Sequence, residues 1–499
     1  MNELPIKKII ILGGGTAGWM TAIKMANGWK RHRIKIELLE SPDIGAIGVG
    51  EGSTPVMKHF FDTLQIAEEE WMPQCDATFK NGITFKGWST ELGFEQYFHP
   101  FPSGVDDKTI AAFEFNTLLR RKGFNVEAHP NRFFLMSKLA EEHKSPIPHE
   151  NFPFEQEYGY HFDSIKLGNF LRNKAIEKGV VHTETLVNEV LLDENGNINC
   201  LVSKTGERYS AELFIDCSGF ASVLLGKTLK VRYKSFKENL FNDSAVAIPT
   251  PVKEYLPTET ISTALSYGWA WRIPLTNRFG NGYVYSSDYC STDQAETELR
   301  SHLGLLDSDV QARHLKMKVG RYEKHWHKNC VAIGLSQGFI EPLEATAIQF
   351  ILNTIQEFIT AIELGDFSNK NQMAFNNNIN HAFEHIRDYV VLHYKLNSRT
   401  DTEYWKDCRD DTPITESLQK ILTCWASNAD MESELRNQKI DQYFRAISWN
   451  HILAGMDAFP LSQEKLRVLP KELERYNLQQ IDEFIRRCSL NFDIQKTLT

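Results

Sequence analysis

Apolar residues fall into three patterns along this chain. Residues 7–12 (KKIIIL) form a short apolar run that predicts a buried strand. A glycine turn and a helix-like stretch to about Arg31 follow, and residues 34–40 (IKIELLE) predict a second strand. The opening segment therefore reads as a βαβ unit. Residues 41–55 (SPDIGAIGVGEGSTP) are rich in Gly and Pro and read as a long functional loop. From 180 to 290 the chain carries many short β-like runs, such as 211–217 (AELFIDC). From about residue 343 the period becomes helical. Ile348, Leu352, Ile355, Ile359 and Ile362 recur at spacings of three and four, and Gly365 ends the run. Residues 379–396 place Ile379, Phe383, Ile386, Val390 and Tyr394 on one face. There is no internal repeat, low-complexity segment or clear linker, so the domains of this α/β chain are expected to interleave.

Composition narrows the classes. The 499 residues are 42% hydrophobic and 24% charged, enough for two or three domain-sized units with substantial cores. The net charge of -10 and the lack of a basic stripe argue against nucleic acid as a partner. The eight cysteines form no CxxC pair, so reduced cytosolic thiols are expected rather than a disulfide framework. No apolar run is long enough to span a bilayer, the N-terminus lacks the shape of a signal peptide, and a cytoplasmic protein is expected. No spacing of His, Cys and carboxylates predicts a metal site.

The first chemistry lies at Gly13-Gly14-Gly15-Thr16-Ala17-Gly18, a GxGxxG pattern directly after a strand. Its glycines permit a tight turn, close approach of a phosphate, and close helix–strand packing. The helix that follows presents free N–H groups and its positive dipole end to a pyrophosphate. Glu40 ends the second strand 22 residues after Gly18, where a ribose-binding acid belongs. This pattern does not choose between FAD and NAD. A second glycine-containing strand end at 213–219 (LFIDCSG) favours FAD.

Several further segments carry a resemblance. The start reads GGGTAGWM and the loop reads IGVGEGSTP. Residues 269–274 read WAWRIP, 334–346 read GLSQGFIEPLEAT, 393–405 read HYKLNSRTDTEYW, and 452–456 read ILAGM. Together they resemble the flavin-dependent tryptophan halogenases over most of the chain. The resemblance implies a Rossmann-like FAD-binding fold of the GR2 monooxygenase-like type, with an interleaved, mainly helical substrate domain. Residues 1–370 would form the FAD-binding domain, with a substrate-facing insertion at about 75–150, and 371–499 the helical substrate domain. Beyond Gly13, Gly15, Thr16, Ala17, Gly18 and Glu40, it adds Ile47, Gly48, Val49, Gly50, Val187, Leu335 and Ile348 to the flavin site. It implies a separate reductase that supplies FADH2. Oxygen and a halide, chloride or bromide, then give hypohalous acid, which reaches a small aromatic substrate through a tunnel. Trp269, Trp271, Ile273 and Pro274 match the motif held to keep substrate away from the flavin; on residue type alone, the two tryptophans read as core.

Lys80, in ATFKNG, matches the family's catalytic lysine. An ammonium there can hydrogen-bond hypohalous acid, and burial would favour the amine that forms a haloamine. Glu344, in EPLE, matches the glutamate that orients the acid or takes the proton from the ring. Glu341, just before Pro342 at the predicted helix start, reads as a structural or capping acid. The halide is expected on backbone N–H groups at Thr346 and Ala347. Here the chain departs from the family, with Ala345-Thr346-Ala347 in place of Ser-Thr-Gly. The loss of glycine is expected to exclude a positive φ at 347.

His99 and Phe101 match the residues that sandwich an indole, and Phe444 could supply an aromatic plane. Family members that take free tryptophan hold its charged end with adjacent tyrosines and a glutamate. The stretch compared with that clamp, 430–449, has no tyrosine pair; Glu432 and Ser433 fall where it would stand, and Lys439 near the ammonium-binding acid. Indole or an indole derivative is therefore expected over free tryptophan. A single-component flavin monooxygenase is the alternative, though Gly334-Leu335-Ser336 lacks the Asp usual beside the flavin. A flavin-binding protein without catalysis is a third reading.

Overall fold

The computed structural model describes residues 5–43, 45, 50–252 and 255–495. The expected flavin-loop residues Ile47, Gly48 and Val49 lie outside them. The chain divides into two compact, interleaved units. The first comprises residues 1–77, 162–236 and 317–384, and the second 78–161, 237–316 and 385–499. The second unit thus includes the antiparallel strands of 237–316 as well as the C-terminal helices.

In the first unit a six-stranded sheet runs in the order Trp326–His327, Cys330–Ala332, Leu213–Asp216, Lys8–Leu12, Lys35–Glu40, Val181–Glu184. All neighbours are parallel except the first pair. Ile10, Leu12, Leu39, Phe214 and Cys330 from this sheet share a core with Ile198, Leu201 and Leu224. Burial on both faces explains why these strands read as continuous apolar runs. The helix Thr16–Gly28 follows the first strand. The later helix, Thr346–Leu364, buries Ile348, Leu352, Ile355, Ile359 and Ile362 as their spacing predicts, and Gly365 caps it. It starts at Thr346, four residues after Pro342. Glu341 is consequently not at a helix start but in the turn before it.

The second unit is built on a seven-stranded sheet in the order Arg313–Lys316, Ser244–Thr250, Phe279–Tyr285, Gly268–Pro274, Glu259–Leu265, Gly82–Lys86, Gln96–Pro100. Neighbours are antiparallel except Glu259–Leu265 with Gly82–Lys86. A separate core joins Phe98, Phe113, Phe133, Phe134, Leu139, Ile485 and Phe492. The predicted helix at 379–396 extends from Gln372 to Leu396, its residues 372–384 belonging to the first unit and 385–396 to the second, and its five marked residues are buried. All eight cysteines are free and buried. Among the described residues no helix is long and apolar enough to cross a membrane.

Candidate active site

In the first unit, the glycine turn has a backbone that other residues could not adopt without strain. Gly13 has φ 117°, and a Cβ there would lie 2.2 Å from the Cys217 carbonyl oxygen. Only glycine fits this left-handed backbone pressed against the neighbouring strand end. A Cβ on Gly18 would lie 1.9 Å from the Gly13 carbonyl oxygen, so helix and turn touch. At Gly15, by contrast, a Cβ would meet nothing within 4 Å. Gly15 is also the N-cap of Thr16–Gly28 and supplies no side-chain cap. The first N–H groups of that helix have no side-chain cap and no Cβ at Gly15 beside them, an arrangement that suits a pyrophosphate. Glu40 is half-buried at the strand end, with His182 Nε2 3.0 Å from its Oε2. These features fit FAD.

Other expected flavin residues lie in the same unit. Gly334 has φ 78°, and a Cβ there would reach Ala17 Cβ at 2.7 Å, so the Gly334–Ser336 turn seats against the helix Thr16–Gly28. Leu335 is half-exposed on that turn, and Ile348 is buried on Thr346–Leu364. Val187 packs against the sheet core and Gly50 begins the strand Gly50–Gly52. Three groups here were not singled out by pattern. His182 meets Glu40. Asp216 accepts from the Ser218 amide at 3.0 Å and from the amides of Leu224 and Leu225 at 2.8 Å each, and so fixes the strand end beneath Gly13. Burial raises the Asp216 carboxyl, and these hydrogen bonds oppose the rise. Burial also raises Glu51 to about 7, opposed by a hydrogen bond with Ser164 and assisted by the charge of Asp163.

Glu341 and Glu344 are both buried, at 0% and 7% exposure. Ala345 N-caps the following helix with φ 54° and no side-chain cap. The positive φ falls at Ala345, whereas Ala347 is ordinary helix, as expected once glycine is replaced there. Thr346 and Ala347 are the first two helical residues, where orphan N–H groups and the helix dipole attract an anion.

In the second unit, Lys80 ends the strand Thr78–Lys80, which pairs antiparallel with Gly159–Asp163. Its side chain is 0% exposed, and Nζ lies 5.6 Å from the Phe101 ring centroid. A cation at that distance is attracted to the ring face. Asn81 anchors the next residue: its amide donates to the Thr258 carbonyl and its Nδ2 to Thr258 Oγ1 and the Lys144 carbonyl. His99 is buried, stacked on His451, with Nε2 3.0 Å from Ser448 Oγ. That hydroxyl is 2.5 Å from the Tyr389 hydroxyl, and Tyr389 stacks on Phe444 at 3.7 Å. His99 and Phe444 thus belong to one connected set, through two residues that pattern did not mark.

Trp269, Trp271 and Ile273 project from one face of the strand Gly268–Pro274. The two indoles are 6.3 Å apart, and Trp271 covers Gly282, where a Cβ would meet it at 2.1 Å. Packing is therefore part of what these tryptophans do. The residues compared with a charge clamp are exposed. Glu432 is exposed on Met431–Asn437 and pairs with Arg436, Ser433 bonds Asp430, and Lys439 is exposed. Among the described residues no group of three or more His, Cys, Asp or Glu is placed to hold a metal.

Known proteins share this sequence pattern and fold. The tryptophan halogenase family model matches residues 8–471. A tryptophan 6-halogenase of Streptomyces toxytricini is 37% identical over 453 residues, 85% of each chain. A tryptophan 7-halogenase of Lentzea aerocolonigenes is 33% identical over 91% of this chain and 90% of its own. The crystal structure of the Streptomyces enzyme aligns over 99% of both chains with a TM-score of 0.83 at 32% identity. A flavin-dependent halogenase from Brevundimonas sp. BAL3 aligns over 97% of this chain and 95% of its own, with a TM-score of 0.81 at 30% identity. A family match of that span, with relatives this similar along most of their length, establishes that the chain belongs to the tryptophan halogenase family.

Proposed function

We propose that this chain halogenates an indole-type substrate, with Lys80 presenting the halogen and Glu344 steering it or taking the ring proton. As a member of its family the chain is an FADH2-dependent oxidoreductase with FAD and a halide as its cofactors. Reduced FAD, with oxygen and halide, supplies hypohalous acid. The observation that carries the roles assigned here is the complete burial of Lys80 beside Phe101. A lysine without catalytic or binding work belongs on the surface, because burying its charge is costly.

The first unit holds FAD at Gly13–Gly18 and Glu40, and the second carries the substrate-facing rings His99, Phe101 and Phe444. The expected roles of Ile47, Gly48, Gly50, Val187, Leu335 and Ile348 in flavin binding, and of the Trp269–Pro274 strand in shielding, belong to the same reading. The halide sits on the amides of Thr346 and Ala347. A Lys80 ammonium hydrogen-bonds hypohalous acid and makes its halogen more electrophilic; the Glu344 carboxylate then accepts the proton that leaves the ring. A separate flavin reductase supplies FADH2. Indole or an indole derivative is preferred to free tryptophan. In support, Glu432, Ser433 and Lys439 are on the surface and provide no buried partner for a zwitterion.

The test is mass spectrometry of a mixture of indole-containing compounds incubated with the protein, a flavin reductase, NADH, FAD and bromide. A brominated aromatic product supports the reading. Bromide-independent hydroxylation would instead favour a monooxygenase.

A further inference from the structure

We propose that His161 is a positioning residue for halogen transfer, fixing the strand that bears Lys80 to the end of the tryptophan-motif strand. The inference rests on the reading of Lys80 given above. All the residues concerned belong to the second unit. His161 stands opposite Thr78 across the antiparallel pair, and Thr78 and Lys80, two residues apart, leave their strand on the same side.

His161 Nδ1 is 3.2 Å from Thr78 Oγ1, and its Nε2 is 2.9 Å from Thr260 Oγ1. The Thr78 hydroxyl donates to the Pro274 carbonyl at 2.8 Å. Its one proton is thereby used, so toward His161 it only accepts, and Nδ1 must carry the imidazole proton. Nε2 is then the acceptor for the Thr260 hydroxyl. The chain reads Thr260 to His161 to Thr78 to Pro274, with every donor matched. His161 is 0% exposed, and both threonines are buried. Burial, and then the charge of Lys80, hold the imidazole well below its ordinary pKa, so it stays neutral beside the lysine.

The ring joins three strands, Thr78–Lys80, Gly159–Asp163 and Glu259–Leu265, and the Thr78 hydroxyl ties them to the last residue of a fourth, Gly268–Pro274. The arrangement fixes Thr78, and through it the origin of the Lys80 side chain. His161 takes no part in the chemistry itself. Its effect is on where the lysine amine stands relative to hypohalous acid, and a misplacement of about 1 Å is enough to cost a large part of the rate.

Three variants test this in the reductase-coupled holoenzyme: His161→Leu, Thr78→Val and His161→Asn. Three quantities are read: FADH2 oxidation, halogenated product, and free hypohalous acid caught by a β-diketone trap. His161→Leu and Thr78→Val should lower product about tenfold, with trapped hypohalous acid rising and FADH2 oxidation unchanged. His161→Asn, whose amide can still donate to Thr78, should recover most of the product. Unchanged product in the first two variants would overturn the proposal. So would a parallel loss of product and FADH2 oxidation with no rise in the trap, which marks a merely structural role. If His161→Leu does not fold, the near-isosteric Thr78→Val decides. Lys80→Ala is run alongside. If it keeps normal product, the reading of Lys80 fails and this inference with it; if it loses product while the His161 and Thr78 variants do not, only this inference fails.

Discussion

Glu40 stands directly against the α-carbon of Gly14, where a Cβ would lie 2.1 Å from Glu40 Cδ. The acid expected to hold the ribose is thus positioned by the absence of a side chain in the turn expected to hold the pyrophosphate. Gly14→Ala must displace the Glu40 carboxylate. FAD affinity, measured by fluorescence titration, should fall about tenfold or more. Unchanged affinity would show that Glu40 is not a ribose ligand.

Ala345 and Ala347 should respond to glycine in opposite directions. Ala345 holds a left-handed backbone, which costs a residue with a Cβ about 1 kcal/mol. Ala345→Gly should therefore stabilise the protein by about that amount in denaturant unfolding, offset in part by the greater freedom of the unfolded chain. Ala347 lies within the first turn of Thr346–Leu364, so Ala347→Gly should destabilise by up to about 1 kcal/mol. The same sign at both positions would contradict the backbone described here.

Glu51 gives a pH signature. The residue is only half-buried, yet enclosure of its carboxyl raises the folded-state pKa to about 7. Between about pH 5 and 7 the folded chain keeps a proton that the unfolded chain has lost. Its stabilising contribution is thus fully present below that window and is lost as pH rises through it. Glu51→Gln should flatten this part of the stability–pH curve, read by thermal unfolding at several pH values. A curve of unchanged slope would sink the assignment.

Ser448 links His99 to Tyr389, which carries Phe444. Ser448→Ala frees both rings at once. The KM for the aromatic substrate should rise about threefold to tenfold with kcat little changed, as expected when ground-state and transition-state binding are lost together. A fall in kcat alone would place Ser448 in the chemistry instead.

Competition between indole and free tryptophan at equal concentration tests substrate preference. Indole should give most of the halogenated product. A clear preference for tryptophan would show that charge-matching groups other than those at 430–439 complete the site.

The parts of the fold legible in sequence were those with a single strong period. The βαβ opening and the Thr346–Leu364 helix follow from apolar spacing, and the glycine turn from the residues only that geometry requires. The start of the helix was misplaced because Pro342 resembles an N1 proline, whereas a turn through Glu341–Ala345 intervenes. Ala347 is helical, in keeping with the exclusion of a positive φ by its Cβ, whereas the left-handed backbone at Ala345 is carried by an alanine and so gives no signal in sequence. His161, Asp216 and Ser448 were silent for another reason. His161 and Ser448 act through hydrogen bonds to residues far away in sequence, and Asp216 through amides eight and nine residues on; no helix or strand period encodes such pairs. The exposure of Glu432, Ser433 and Lys439 is not legible in sequence, since comparison with a clamp carries no information about burial.

The central claim is that Lys80 transfers the halogen, and Lys80→Ala tests it most directly. The variant is supplied with a flavin reductase, NADH, FAD, bromide and indole, and both FADH2 oxidation and brominated indole are followed. FADH2 oxidation should continue at the parent rate while brominated indole falls below detection. Bromination by Lys80→Ala at close to the parent rate would contradict the account.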